Sequence, residues 1–111
     1  MVQYNPHLTT GFGALADPTR RGILEHLARQ DASISELAER FAMTLTGMKK
    51  HVQILEVAGL LATEKVGRVR TCRIGPRRME KELAWIESYR RLLEERFDHL
   101  ERFLEQEKGK V

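Results

Sequence analysis

The chain has 111 residues, 41% of them apolar, 32% charged and 6% aromatic, and its nineteen Lys or Arg against sixteen Asp or Glu leave a formal net charge of +3. That composition belongs to one small, helix-prone globular domain and excludes a multidomain enzyme or a disordered tail. No run approaches the ~20 consecutive apolar residues that cross a bilayer, and the start MVQYNPHL has neither a basic n-region nor an apolar h-region, so a cytoplasmic protein with no membrane partner is expected.

Leu8, Phe12 and Leu15 stand at helical spacing among glycines, which predicts a short, imperfect first helix over about residues 5–15. Asp17 is placed to accept from the free amides of the next helix, and Pro18 suits its first position. Ile23, Leu24, Leu27 and Ala28 carry that helix to Arg29, after which Gln30 to Ala32 read as a connector. Ser33-Ile34-Ser35-Glu36 is a capping-box pattern opening a short helix to Phe41, with Leu37 and Ala38 inward. Thr44 caps the following helix, Leu45 to about Ala58, whose apolar side is Met48, Val52 and Leu55, and Gly59 supplies the left-handed residue that ends it. Two short helices across so tight a turn, the second capped and basic, form a helix-turn-helix.

Beyond Gly59 the pattern shortens to β-prone runs, Leu60–Val66 and Arg68–Ile74, separated by Gly67. They make a hairpin whose tip carries Lys65, Arg68 and Arg70, closed by Gly75-Pro76. The lone cysteine, Cys72, lies on its second strand and cannot form an internal disulfide; an inert strand thiol is the plainer reading beside a redox role across two chains. One long helix is predicted over about residues 77–107. Met79, Leu83, Ile86, Leu93, Phe97, Leu100 and Leu104 follow a four-three rhythm interrupted at Arg90, widened by Trp85, Tyr89, Leu92 and Phe103. About thirty residues span roughly 45 Å, more than a domain of this size covers with its own core, so part of the stripe needs a second chain. A membrane-surface helix is the lesser alternative, since nine acids cancel nine bases in residues 76–111.

The charge is concentrated. Residues 44–74 hold Lys49, Lys50, Lys65, Arg68, Arg70 and Arg73 against Glu56 and Glu64, a net +4. A basic helix and hairpin on an otherwise balanced chain is the footprint expected for a polyanion, with a plain solvated surface as the alternative.

The run Phe12-Gly13-Ala14-Leu15-Ala16-Asp17-Pro18-Thr19-Arg20-Arg21-Gly22-Ile23-Leu24 resembles the ALADPTRRxIL opening of the ArsR-type, arsenic-repressor-like bacterial regulators. Ser35-Glu36-Leu37-Ala38 is similar to their xELA helix, and His51 to Leu61 to their HLxxLxxAGLV recognition helix and strand. The resemblance covers nearly the whole chain and implies a mainly α fold with a small β-hairpin wing, the winged helix-turn-helix in the order α-α-α-α-β-β-α, as a single domain over residues 1–111. It further implies a homodimer on double-stranded DNA, usually a repressor, reading an inverted repeat whose half-sites lie about 34–36 Å apart.

On that reading the 44–58 helix enters the major groove. Thr44, Thr46, Gly47, Lys49, Lys50 and Gln53 lie away from its apolar side, Gln53 or a lysine reading a base edge and the rest holding phosphate. Arg68 and Arg70 of the 61–74 wing reach the backbone or minor groove. His51, beside buried Val52, reads as a packed histidine rather than a base contact. Leu8 and Phe12 of the first helix, with Leu83, Ile86, Tyr89, Leu93, Phe97, Leu100 and Leu104 of the last, are the expected dimer interface.

No metal sensing and no cofactor are expected. Where many relatives carry a Cys-x-Cys-Asp pair this chain has Ser33-Ile34-Ser35-Glu36, and its Asp98-His99 are adjacent on a helix with no later His. Nor is an enzyme expected, because His7, His26, His51 and His99 fall on different elements and no phosphate-cradling glycine loop is present. An adaptor that uses only the long helix is the remaining alternative; a small-molecule effector is unknown.

Overall fold

The computed structural model describes residues 6–109 and divides into two compact units, one ending at Met79 and the other beginning at Glu80. The first unit contains α1 (Pro6–Leu15), α2 (Pro18–Leu27), β1 (Ala32–Ser33), α3 (Ile34–Arg40), α4 (Leu45–Val57), β2 (Leu61–Val66) and β3 (Val69–Ile74); the second is α5 (Glu80–Gly109).

The starts of α2, α3 and α4 each follow from a side chain that accepts a free amide. Asp17 Oδ2 accepts from Arg20 N at 3.0 Å with Pro18 at the first position, Ser33 Oγ from Glu36 N at 3.1 Å, and Thr44 Oγ1 from Gly47 N at 3.1 Å. The helix ends are equally local. Gly59, at φ +77°, closes α4 with Gly59 N donating to Glu56 O and Leu60 N to Leu55 O. The same pair of bonds closes α3, from Ala42 N to Glu39 O and Met43 N to Ala38 O, but the left-handed residue there is Ala42, at φ +52°. This strained alanine makes the turn between α3 and α4 as tight as the sequence requires.

The sheet has three strands, ordered β1-β3-β2 and antiparallel throughout. The first strand falls partly in the expected connector and adds a β to the expected order. Ser33 is extended (φ −73°, ψ 160°) because it caps α3, and the same extended backbone sets Ala32 and Ser33 against Cys72 and Thr71. The wing is a hairpin with the two-residue loop Gly67-Arg68, so Val66 pairs Val69 and Lys65 pairs Arg70.

Ile23, Leu27, Leu37, Met48, Val52, Leu55, Leu60, Leu61 and Cys72 form one buried cluster joining α2, α3, α4 and the base of the wing. At the foot of β3 the backbone of residues 59–61 passes so closely that a Cβ on Gly75 would lie 2.3 Å from Gly59 O. The last helix starts at Glu80 rather than near Arg77: Arg77 Nη1 donates to Ala58 O at 2.5 Å, and Met79 takes a left-handed φ of +62°.

Candidate nucleic-acid interface

The apolar side of α4 is set by Met48, Val52 and Leu55, which are buried in the core, and this turns Thr46, Lys49, Lys50 and Gln53 outward to solvent. Gly47 is half-buried, and its amide is taken by the Thr44 hydroxyl oxygen. Thr44 retains a hydroxyl proton to donate, and the amides of Leu45 and Thr46 lie ahead of the cap bond at a helix start that favours anions.

The wing completes the site. Its two-residue period puts Leu61, Thr63 and Lys65 on one face with Arg70, Cys72 and Ile74 of the facing strand. Toward the tip that face meets α4 and the start of α3 across an open cleft of about 510 Å³, lined among others by Lys49, Lys65, Arg68 and Arg70, with Glu36 as the acid in the lining. A neighbouring hollow of about 230 Å³ adds Gln53, Glu56 and Thr63 beside Lys49 and Arg70. Arg70 Nη1 donates to Thr63 Oγ1 at 3.1 Å, and that hydroxyl donates to Glu56 Oε2 at 2.5 Å, a relay that ties the wing to α4. On the opposite face Arg73 pairs with Glu64, which removes Arg73 from the cleft.

Lys65 and Arg70 are direct cross-strand partners, and like charges so placed destabilise a hairpin. The fold carries this cost where four cations line one cleft, which is the arrangement a polyanion relieves. Among the residues expected at the site, Lys49, Gln53, Arg68 and Arg70 come together here; Thr46 and Lys50 are exposed on α4 but line neither hollow. Lys65, expected at the wing tip though not among the named DNA contacts, and Leu45, not expected, also belong to the lining. The register of a two-residue loop places Lys65 opposite Arg70, and Leu45 stands one helical turn before Lys49.

His51 is half-buried, its Nδ1 3.2 Å from Arg20 Nη1 and 3.9 Å from Asp17 Oδ2. The ring is engaged within the protein, as a packed histidine is. The hydrogen bond from the Arg20 amide holds the Asp17 carboxyl below the usual carboxylate range; partial desolvation opposes that, and the Arg20 charge assists it. Cys72 is fully buried, and desolvation, with Glu56 nearby, pushes its thiol up to about 11. Among the described residues no three His, Cys, Asp or Glu side chains cluster as a metal site would require, and no helix is long and apolar enough to cross a membrane.

Taken alone, α5 exposes most of its apolar side: Leu83, Ile86, Tyr89, Phe97, Leu100 and Leu104 are between 45% and 63% exposed, and Leu93 is 37% exposed. Trp85 and Tyr89 stack with centroids 5.3 Å apart. In α1, Leu8 and Phe12 are half-buried.

A family model described as a helix-turn-helix domain matches residues 15–64. Among solved structures, the chain is similar to an ArsR family transcriptional regulator at 45% identity and a TM-score of 0.76, covering 85% of this chain and 97% of that one. An ArsR-like transcriptional regulator from Rhodococcus sp. RHA1 is 31% identical with a TM-score of 0.78, covering 90% and 92%. The transcriptional repressor SdpR of Bacillus subtilis is 34% identical over 56 residues, half of this chain. The chain spans about three-fifths of the length of the curated relatives it matches, 59% and 62%. The capped α3–α4 pair, the basic wing and 45% identity across nearly all of a solved family member lead to one assignment: this chain belongs to the ArsR family of winged helix-turn-helix transcriptional regulators, DNA-binding proteins and not enzymes.

Proposed function

We infer that this chain works as a homodimeric repressor in the cytoplasm, binding an inverted-repeat operator in double-stranded DNA without a metal signal. The observation that carries the reading is the cleft in which Lys49, Lys65, Arg68 and Arg70 face one another, including a like-charged cross-strand pair that the fold maintains at a cost. The N-terminal turns of α4, with Thr44, Thr46, Gly47, Lys49, Lys50 and Gln53, meet the major groove, and Arg68 and Arg70 meet the flanking backbone or minor groove. The exposed apolar side of α5, from Leu83, Ile86 and Tyr89 through Leu93 and Phe97 to Leu100 and Leu104, pairs with a second copy together with Leu8 and Phe12 of α1. Such a stripe is far wider than scattered surface apolar residues. Likeness to the repressor SdpR supports repression as the outcome.

The test is duplex binding by a Lys49→Ala, Lys50→Ala variant over a range of salt. Four lysines are lost per dimer, so affinity for the selected operator falls by about 1–3 kcal/mol or more and the salt slope becomes shallower, with helicity unchanged. Wild-type affinity and slope in that variant would refute the placement of α4 on DNA.

A further inference from the structure

Arg20, Asp17 and His51 lie outside the cationic cleft, yet they join three helices through one guanidinium. Arg20 Nε donates to Ala14 O at 2.9 Å and Nη2 to Gly13 O at 3.0 Å, both in the last turn of α1. Its Nη1 lies 3.2 Å from His51 Nδ1, in the middle of α4. Because an arginine offers only donors, His51 Nδ1 is the acceptor and the ring proton sits on Nε2. The Arg20 backbone amide is itself held by Asp17 Oδ2, the cap of α2. Arg21 Nη1 adds a bond to Leu15 O at 2.8 Å, so two neighbouring arginines hold the end of α1.

The core already secures α4 through Met48, Val52 and Leu55, but apolar packing is non-directional and leaves small rotations and slides of the helix inexpensive. Directed hydrogen bonds from a planar fork resist those motions. We propose that Arg20 is a positioning residue for DNA recognition: acting through His51, it fixes the angle of α4 against α1, and so the separation of the two recognition helices in the dimer. This rests on the reading of α4 as the DNA helix and of α1 as part of the dimer surface. A site held on rigid elements needs its groups within about 0.5 Å and 10–20° of the productive geometry, and the half-sites of one operator impose that tolerance across both protomers.

The test uses the full chain and a duplex selected by the wild-type protein from random sequence, against the same duplex with one base pair added between its half-sites and against an unrelated duplex. Arg20→Lys keeps the charge but cannot reach both carbonyls and the ring together. His51→Phe keeps a ring without the acceptor, and His51→Asn returns an acceptor oxygen near the Nδ1 position. Light scattering and circular dichroism confirm folded dimers. The expected result is that Arg20→Lys and His51→Phe lose about tenfold affinity for the selected duplex and much of the discrimination against the lengthened one. Affinity for unrelated DNA, which needs only the cationic cleft, is retained, and His51→Asn recovers the discrimination. Wild-type discrimination in Arg20→Lys and His51→Phe overturns the proposal, as does an equal loss on all three duplexes. If the Lys49→Ala, Lys50→Ala variant binds the selected duplex normally, it is the assignment of α4 that fails.

Discussion

The Lys65–Arg70 pair makes a prediction that links folding to binding. Replacing Lys65 with Thr removes one of two like charges set directly opposite on the wing, both of them exposed. Two unit charges about 6 Å apart repel by about 0.7 kcal/mol in bulk water, and screening at physiological salt roughly halves that. Threonine also suits a strand better than lysine, a contribution of a few tenths of a kcal/mol in the same direction. The variant is therefore expected to be more stable by about 1 kcal/mol in denaturant titration at low salt, and the electrostatic part of the gain should vanish near 1 M salt. Binding moves the opposite way. Two cations are lost per dimer, so the slope of log affinity against log salt becomes shallower by about 2, and operator affinity drops. A stabilised variant that binds the selected operator with wild-type affinity and slope would refute the claim that the cleft is a DNA surface. A variant no more stable at low salt than at high would refute the claim that the pair repels.

Ala42→Gly should stabilise the chain by up to about 1 kcal/mol in thermal unfolding, because alanine at φ +52° carries the cost of a left-handed L-residue; a destabilised variant would show that Ala42 is not strained. Replacing Leu93 and Phe97 with Glu should yield monomers or aggregates by light scattering, whereas an intact dimer would remove these residues from the interface. Cys72, buried with a thiol near 11 against an ordinary 9.0, should react with iodoacetamide at pH 8 about a hundredfold more slowly than in the unfolded chain. Equal rates in both states would show the thiol to be open.

Much of the helix-turn-helix was legible in the sequence because its signals are local. Thr44 three residues before Gly47, the apolar rhythm of Met48, Val52 and Leu55, and Gly59 at the end define α4 without reference to anything distant, and they also define which side is left outward. Other features were not legible. Ala42 gives no hint of a left-handed conformation, since the tightness of the α3–α4 turn imposes it. Residues 30–32 lack the β-branched run of a strand, so the pairing of Ala32 with Cys72 depends on a partner forty residues away. Lys50 and Lys49 look equivalent in the chain, but adjacent helical residues point about 100° apart, and Lys49 rather than Lys50 lines the cleft.

The sequence by itself determined the succession of helices and hairpin, the caps that open each helix of the first unit after α1, the confinement of net positive charge to residues 44–74 and the family, because these depend on residue type, short spacing and recognisable runs. Only the tertiary structure decided which charges share a space: Lys49 from α4 with Lys65, Arg68 and Arg70 from the wing, Arg73 drawn away by Glu64, and the Arg20 fork joining α1 to His51. Each of these depends on the angle between packed elements and on strand register. That information lies in how separate stretches of chain fit together, and no single stretch contains it.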